Sequence, residues 1–185
     1  MESSLRPGIV HRLDKDTSGV MVVARNQKAF RELKNLFKNR KVSKKYLALV
    51  YGKPEKQQGI IEKPIARAAN YKKQVVAGRK TRTKIREAIT EYKVIKKYSA
   101  RALVEVFPQT GRMHQIRLHL ASLGNPVVGD QIYGKKIKKY FSNHPPRQLL
   151  HAQKIKFELF GNKYSFQAKI PFDFQEYLKT LDVKI

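Results

Sequence analysis

Strand-forming segments follow one another along this chain with few helices between them, and this order restricts the folds open to it. Runs of β-branched and aromatic residues predict seven strands, over 19–25, 45–51, 59–65, 89–97, 102–107, 149–160 and 163–170. Helical spacing of apolar residues predicts helices over 27–40, 112–123 and 174–181. Because the strands come mostly in neighbouring pairs, the predicted fold class is α+β, with a mixed or antiparallel sheet and flanking helices.

The length predicts one folded unit. A chain of 185 residues fits a single domain, since domains contain roughly 150 residues. No repeat, low-complexity tract or long linker divides the chain, so residues 1–185 are interpreted as a single domain. Strand pattern begins almost at Ile9, and a charged loop follows with nothing before it to pack against. We therefore expect either a fragment or a site close to an unusual terminus.

The charge balance indicates the kind of partner. The chain has 40 Lys and Arg against 14 Asp and Glu, a formal net charge of +26. Such a surplus favours a phosphate-rich partner, nucleic acid first, because each neutralised phosphate releases counterions. A general DNA-binding basic protein is one alternative. Solvated lysines, as in proteins adapted to high temperature, are another, although 14 acids cannot pair with most of them.

Several classes of protein are excluded or disfavoured. The chain has no cysteine, which excludes disulfides, thiolate zinc sites and a cysteine nucleophile and suits a cytoplasmic location. No leader-like or membrane-spanning apolar run is present, so we expect no membrane partner. The histidines lack metal-ligand spacing and no phosphate-binding glycine loop occurs. These patterns predict chemistry without a metal or a cofactor.

The segment 11–19 is the first candidate site. It places His11, two carboxylates and two hydroxyls in a loop that ends at a glycine. One interpretation is a turn in which the Asp and Thr side chains bond local backbone amides. The other is a functional loop that carries Asp14 or Asp16.

Arg117 is out of place on its predicted helix. On a helical wheel of the 112–123 segment it falls among apolar side chains. The opposite side carries polar residues: Gln115, His119 and Ser122. A buried guanidinium requires a carboxylate, and breaking such a pair costs ~3–5 kcal/mol, so Asp14 or Asp16 is the expected partner. The alternative is that Arg117 extends along the helix edge to solvent. If the pair forms, it would hold a carboxylate charged and oriented, as a nucleophile or base requires.

Other cationic residues predict contacts with RNA. His114, at the edge of the apolar arc, either contacts RNA, acts in catalysis or is structural. Two basic stretches, 63–86 and 135–141, are predicted RNA contact surfaces, with Tyr71 in the first available for stacking and a solvated loop as the alternative for both. Within the first stretch we predict these RNA contacts: Lys72, Lys73, Arg79, Lys80 and Arg82.

Ordered sequence blocks resemble a known family. Residues 6–19 (RPGIVHRLDKDTSG) resemble the active-site motif of RluA/RluD-type pseudouridine synthases. The blocks 45–52 (KYLALVYG) and 110–120 (TGRMHQIRLHL) follow in the family's order. The pairs 129–130 (GD) and 133–134 (YG) and the triplet 150–152 (LHA) also agree. The resemblance covers nearly the whole chain, and three ordered blocks are far more specific than any one of them.

The resemblance implies an isomerase that converts uridines in structured RNA to pseudouridine without a cofactor. The essential aspartate of the family corresponds to Asp14, which either attacks C1′ or abstracts the C2′ proton to give a glycal. The family's tyrosine corresponds to Tyr46, which would stack on the uracil and help to move the C5 proton, and its arginine corresponds to Arg117. Arg12 corresponds to an arginine that fills the gap left by the flipped nucleotide. We count four neighbours as further RNA contacts: His11, Arg112, His114 and Gln115.

Two departures from the family pattern qualify this interpretation. An upstream Lys-Pro motif and a small N-terminal RNA-binding domain, which many members carry, are absent from this sequence, so we expect an N-terminally shortened catalytic domain. The alternative function is a catalytically impaired RNA-binding or assembly protein that keeps the synthase fold. Ribosomal RNA is the first expected partner and transfer RNA the second, and we expect a monomer.

Overall fold

A computed structural model describes residues 7–68, 73–79, 81–138 and 144–182. Four helices lie in these residues: α1 Gln27–Lys38, α2 Gln115–Ser122, α3 Lys135–Lys138 and α4 Phe172–Asp182. The first five strands are β1 Ser18–Gly19, β2 Ser43–Tyr51, β3 Gln58–Ile61, β4 Ile65–Arg67 and β5 Gln74–Val76. The last four are β6 Thr90–Lys97, β7 Arg101–Pro108, β8 Leu150–Leu159 and β9 Asn162–Gln167.

Seven of these strands form one mixed sheet. Its order is β1-β8-β2-β7-β6-β3, with β9 also paired to β8. β1 is parallel to β8, and the other neighbours are antiparallel. β4 and β5 form a separate two-stranded hairpin. The predicted α+β class with a mixed sheet and flanking helices is confirmed.

Alternation along β2 divides the core between the two faces of the sheet. Ala48 and Val50 point to the face that α2 covers, where they join the cluster containing Ile116 and Leu120. Leu47, Leu49 and Tyr51 point to the other face, beneath α4. A side chain on β2 therefore belongs either to the α2 face or to the α4 face.

Helix α1 covers the β8 and β9 end of the sheet. The side chain of Asn26 caps the helix by accepting a hydrogen bond from the amide of Ala29 at 2.8 Å. On the inner side Leu33 is 2% exposed and packs with Ile155 and Phe157 of β8. No helix of the described part of the chain is long and apolar enough to cross a membrane.

The predicted strand 19–25 is wrong beyond its first residue. The pairing of β1 with β8 ends at Gly19 and Ala152. From Lys154 onward the same edge of β8 pairs with β9, so 20–25 forms no ladder with β8, and Val23 makes only an isolated antiparallel bridge with Ile9. The apolar side chains of Val20, Val22 and Ala24 instead pack into the α1 cluster from irregular backbone. The β-branched pattern predicted a buried strand, but only Val20, Val22 and Ala24 are partly buried, whereas Met21 and Val23 are 44% and 47% exposed.

Two further boundaries differ from the sequence prediction. The predicted strand 59–65 is divided into β3 and the start of β4, with Pro64, which has no amide to donate, between them. The predicted helix 112–123 begins only at Gln115, because the preceding His114 has a left-handed backbone with φ of 57°. Strand β5 and helix α3 were not predicted.

Candidate active site

A cleft of about 470 Å³ opens on the α2 face of the sheet. Its walls are residues 10–14, the end of α1, the start of β2 and the loop 108–116. This volume lies within the ~300–1,000 Å³ of typical small-molecule sites. The three residues predicted as catalytic, Asp14, Tyr46 and Arg117, meet at this cleft: Asp14 and Tyr46 line it, and Arg117 contacts Asp14 from below.

The turn that carries Asp14 is held from outside by neighbouring side chains. The amide of Thr17 donates to the carbonyl of Asp14 at 3.0 Å, and Gln148 donates to the carbonyl of Lys15 and the hydroxyl of Thr17. Gly19 has φ of +125°, and a Cβ there would collide with the carbonyl oxygen of Ala152. The turn is thus closed by its backbone and by Gln148, which leaves the Asp14 carboxylate directed at Arg117.

The predicted ion pair between Asp14 and Arg117 is present. Nη1 of Arg117 donates to Oδ2 of Asp14 at 3.3 Å. The Arg117 side chain is 4% exposed and that of Asp14 17%, so the alternative that the guanidinium reaches solvent is wrong. The ring of Tyr133 lies 5.4 Å from the guanidinium carbon and adds a cation–π contact.

Asp130 is the principal partner of Arg117, and the helical wheel did not find it. Nε and Nη2 of Arg117 donate to its two carboxylate oxygens at 2.7 and 2.9 Å. The Asp130 side chain is fully buried and also accepts from the amides of Ile132 and Tyr133. The available sequence signal was the matching Gly-Asp pair at 129–130. At Gly129, where φ is +81°, a Cβ would collide with the carbonyl of Arg147, so glycine is required before the aspartate.

Burial and ion pairing have opposite effects on the pKa values of Arg117 and Asp130. Burial opposes the charged form of Arg117, but its bonds to Asp130 and the charges of both carboxylates raise its pKa above the ordinary value. Burial likewise opposes ionisation of Asp130, yet the hydrogen bonds and charge of Arg117 hold the pKa of that carboxyl below its ordinary value. Arg117 is therefore a permanently charged group in a fixed position beneath the cleft.

Tyr46 forms the wall beside Asp14. It lies on the α2 face of β2 and packs against the core cluster with its ring. Burial, and secondarily the negative charge of Asp14, raise its pKa to about 12. Its phenol is therefore neutral at physiological pH and presents a hydrophobic ring and a hydroxyl group to the cleft.

His11 and Arg12 enter the cleft differently. The ring of His11 stacks on Phe37 with centroids 4.6 Å apart, and its Nε2 accepts from the amide of Val22. Burial and the nearby Lys44 lower its pKa to about 4, so His11 is an uncharged ring at neutral pH. Arg12 is exposed at the cleft margin.

Gln115 lies in the wall of the cleft with its side chain bonded within the protein, and its predicted contact with RNA stays a prediction. Its side chain accepts from Thr110 and the amide of Arg112, and donates to the carbonyl of Ile89 and the hydroxyl of Thr90. Gln115 is 3% exposed because the polar side of α2 packs against the 89–90 backbone instead of facing solvent.

His119, assigned to the same polar side, is fully buried as well. Its two ring nitrogens contact the hydroxyl of Thr90 and the carbonyl of Lys63. Hydrogen bonding to neighbouring backbone thus allows polar residues to be buried on a side that the wheel assigned to water.

His114 and Arg112 complete the far wall. Nδ1 of His114 lies 3.1 Å from the hydroxyl of Tyr133, which also bonds the backbone of Gln74 in β5. Burial lowers the pKa of His114, and the charge of Asp14 opposes this shift. Nε of Arg112 donates to the carbonyl of Glu87 at 3.0 Å. Tyr133 thus links the cleft to the β4–β5 hairpin.

The predicted basic surface lies next to this hairpin. Lys73, Arg79 and Arg82 are exposed. Lys72 and Lys80 lie outside the described residues. In the second basic stretch, Lys135 and Lys136 are exposed on α3, whereas 139–141 are outside the described residues. Contact of these side chains with RNA stays a prediction.

Comparison with known proteins identifies the family. A model described as RNA pseudouridylate synthase matches residues 2–122. An uncharacterized RNA pseudouridine synthase of Aquifex aeolicus is 47% identical over 147 residues, which are 78% of this chain and 44% of that protein. The ribosomal large subunit pseudouridine synthase D of Zymomonas mobilis is 36% identical over 182 residues, 95% of this chain and 56% of that protein. The chain spans about half the length of the curated relatives it matches.

A solved structure agrees. Human RNA pseudouridylate synthase domain containing 1 is similar with a TM-score of 0.77 at 29% identity, over 88% of this chain and 69% of that chain. Since the family model matches residues 2–122 and a relative 36% identical covers 95% of the chain, the chain belongs to the RNA pseudouridylate synthase family.

Proposed function

We propose that this chain carries the catalytic activity of an RNA pseudouridine synthase and isomerises uridines in structured RNA. Ribosomal RNA is the first candidate substrate and transfer RNA the second. The observation that carries the proposal is the cleft carboxylate of Asp14, which contacts Arg117 at 3.3 Å while Asp130 holds that arginine at 2.7 and 2.9 Å. One relative is named for the large ribosomal subunit, which supports ribosomal RNA over transfer RNA. The formal charge of +26 supports a polyanionic substrate.

The central group that the reaction requires from the protein is a carboxylate. The C1′–N1 bond breaks, the detached uracil rotates, C5 bonds to C1′, and the C5 proton leaves while N1 gains one. Asp14 either attacks C1′ and is later displaced by C5, or abstracts the C2′ proton and later returns it. In both routes Arg117 orients the carboxylate and compensates its charge, and no net oxidation or reduction occurs.

The direct test uses unmodified ribosomal and transfer RNA transcripts. Incubation with the protein is expected to produce pseudouridine at discrete positions, mapped by chemical labelling, in ribosomal RNA more than in transfer RNA. Duplex DNA at the same salt concentration is expected to compete weakly, because RNA shape and not charge alone selects the substrate. Binding of RNA without any conversion would contradict the proposal and favour the RNA-binding or assembly alternative.

Tyr46 is proposed to stack on the flipped uracil and to assist the proton movement at C5. Replacing it with leucine is expected to weaken RNA binding by about tenfold to a hundredfold, since stacking on an aromatic ring contributes ~1–3 kcal/mol. Tyr46→Phe keeps the ring, so we expect unchanged affinity but a kcat lowered by about a hundredfold through loss of the hydroxyl. Equilibrium binding and single-turnover rates separate the two effects. A Tyr46→Phe enzyme with wild-type kcat would limit Tyr46 to stacking.

The basic surface beside the β4–β5 hairpin is proposed to hold the RNA backbone. Replacing Lys73, Arg79 and Arg82 together with glutamine is expected to reduce the slope of log affinity against log salt by about 2 to 3, because each phosphate contact contributes about 0.9. The measurement is RNA affinity at several salt concentrations.

The matched control replaces three other exposed lysines with glutamine. Lys53 and Lys56 follow the end of β2, and Lys97 is the last residue of β6. It changes the net charge equally, so we expect a much smaller change in slope. Equal slopes for the two triple variants would show that the charge acts globally and that the hairpin surface is not the binding site.

A further inference from the structure

Lys44 is a cation within the cleft for which the described residues provide no hydrogen-bond or ion-pair partner. It lies on β2 two residues before Tyr46 and lines the same cavity. Its Nζ approaches the loop 110–112, 3.9 Å from the position that a Cβ on Gly111 would take. Among the described residues it has neither a hydrogen bond nor an ion pair, whereas its neighbour Lys45 pairs with Glu105 at 2.8 Å on the other face of the sheet.

In the described part of the chain, no hydrogen bond or ion pair joins Lys44 to the one carboxylate of the cleft. Asp14 is the sole carboxylate among the described residues that line the cleft, and one of its oxygens accepts from Arg117. Three further titratable groups line the cleft: His11, Tyr46 and His114. The remaining charged groups are cations: Arg12, Lys38, Arg40 and Arg112. Of these, Arg40 pairs with Glu87 outside the cavity.

Burial without a partner is unfavourable for an ammonium group. Loss of hydration lowers the pKa of Lys44 to about 8. A cation in this state gains free energy when an anion enters the cleft, because the new contact replaces the lost water. An ammonium is a compact point charge that suits a phosphate oxygen, and every nucleotide that enters the cleft brings its phosphate with it.

We infer that Lys44 binds a backbone phosphate adjacent to the flipped uridine and so fixes the ribose against Asp14. The inference rests on the proposed function, since it takes a nucleotide of RNA as the occupant of the cleft. It assigns Lys44 to binding and not to the chemical step. The contrasting possibility is that Lys44 stabilises negative charge that develops on the departing uracil, which would act on kcat instead of affinity.

The test compares three variants on a short stem-loop RNA with a uridine loop. Lys44→Met is expected to bind about ten- to a hundredfold more weakly than wild type, with the salt slope reduced by about 0.9. Lys45→Met carries the same change in charge on the opposite face and is expected to bind like wild type. Lys44→Arg retains a charge and is expected to restore most of the affinity. Thermal unfolding of each variant checks that the fold is intact.

A pH series provides a second measurement. Phosphate raises the pKa of Lys44 in the complex, so wild-type affinity is constant while the free enzyme is protonated and falls as pH rises above about 8. Lys44→Arg does not titrate in this range, so the ratio of wild-type to Lys44→Arg affinity is expected to decrease from about pH 7 to about pH 9. Titration of the RNA and of other lysines affects both proteins equally and cancels in the ratio.

The outcomes separate this inference from the proposed function. If wild type isomerises uridine but Lys44→Met binds RNA equally well, the phosphate site is wrong and the proposed function stands. If Lys44→Met lowers kcat at unchanged affinity, the phosphate assignment is wrong and Lys44 instead stabilises the negative charge on the departing uracil. A wild type that binds RNA through Lys44 without isomerising any transcript retains the phosphate site and overturns the proposed function. A wild type that does not bind RNA overturns both.

Discussion

Asp14→Asn is expected to abolish pseudouridine formation, with kcat reduced by ~10⁴-fold or more, while RNA affinity and the fold are retained. The amide is isosteric with the carboxylate but can neither attack C1′ nor accept the C2′ proton. Arg117 keeps its two bonds to Asp130, at 2.7 and 2.9 Å, so the floor of the cleft stays in place. Single-turnover conversion of a ribosomal RNA transcript measures the rate, and equilibrium binding measures the affinity.

Asp16→Asn is the matched control for this experiment. Asp16 lies in the same turn and is exposed. Its φ of 68° is a left-handed conformation that asparagine tolerates well, so the substitution does not strain the turn. Its backbone carbonyl, which accepts from Arg147, is unchanged. We expect activity close to that of wild type. Wild-type conversion by Asp14→Asn would remove Asp14 from the chemistry and with it the proposed mechanism.

The sequence predicted those parts of the molecule in which periodicity and burial coincide. Strands β2, β6, β7, β8 and β9 alternate or run apolar over their whole length, and each was located to within about three residues. The contact between Asp14 and Arg117 was also predictable, because a guanidinium in an apolar arc demands a carboxylate. That argument establishes the need for a partner but not its position. Asp130 lies in irregular backbone just after Val127 and Val128, which bond to β2. No sequence period there indicates which residues face inward.

The failures have a common physical cause. A helical wheel assigns one side to the core and the other to water, yet Gln115 and His119 are buried through hydrogen bonds to Thr90 and to backbone carbonyls. Likewise, the apolar residues Val20, Val22 and Ala24 are partly buried against the α1 cluster without a strand ladder, because β9 occupies the edge of β8. Both outcomes depend on tertiary partners distant in sequence, which local pattern does not contain.

Asp130→Asn is expected to destabilise the protein more than any other single change considered above and to reduce activity as well. Removing the carboxylate leaves the Arg117 guanidinium, 4% exposed, with only the 3.3 Å contact to Asp14 to balance its charge. Breaking a buried pair in this way costs ~3–5 kcal/mol of unfolding free energy. Asparagine offers Arg117 one acceptor oxygen instead of two, so the two-bond contact that fixes the guanidinium beneath Asp14 would be lost. Chemical denaturation measures the stability, and single-turnover kinetics measure the rate.

Asp173→Asn is the matched control, since Arg147 contacts Asp173 with the same bidentate geometry, at 2.7 and 2.8 Å, on the surface. Asp173 is 43% exposed, so solvent screens the pair and we expect a cost of about 1 kcal/mol or less. Equal costs for the two substitutions would contradict the assignment of Asp130 as the buried anchor of Arg117.

The pH dependence of the Asp130→Asn effect follows from the depressed pKa of Asp130. A carboxyl whose pKa is lower in the folded than in the unfolded state contributes stability above the unfolded value and loses it as pH falls through the folded value. The difference in unfolding free energy between wild type and Asp130→Asn should therefore be constant above about pH 5 and shrink below about pH 4. Arg117 stays charged throughout this range, because its own pKa is raised, so the change reports Asp130 alone. A difference that grows on acidification would mean that Asp130 is not ionised in the folded protein, and Arg117 would then need another counter-charge to remain buried.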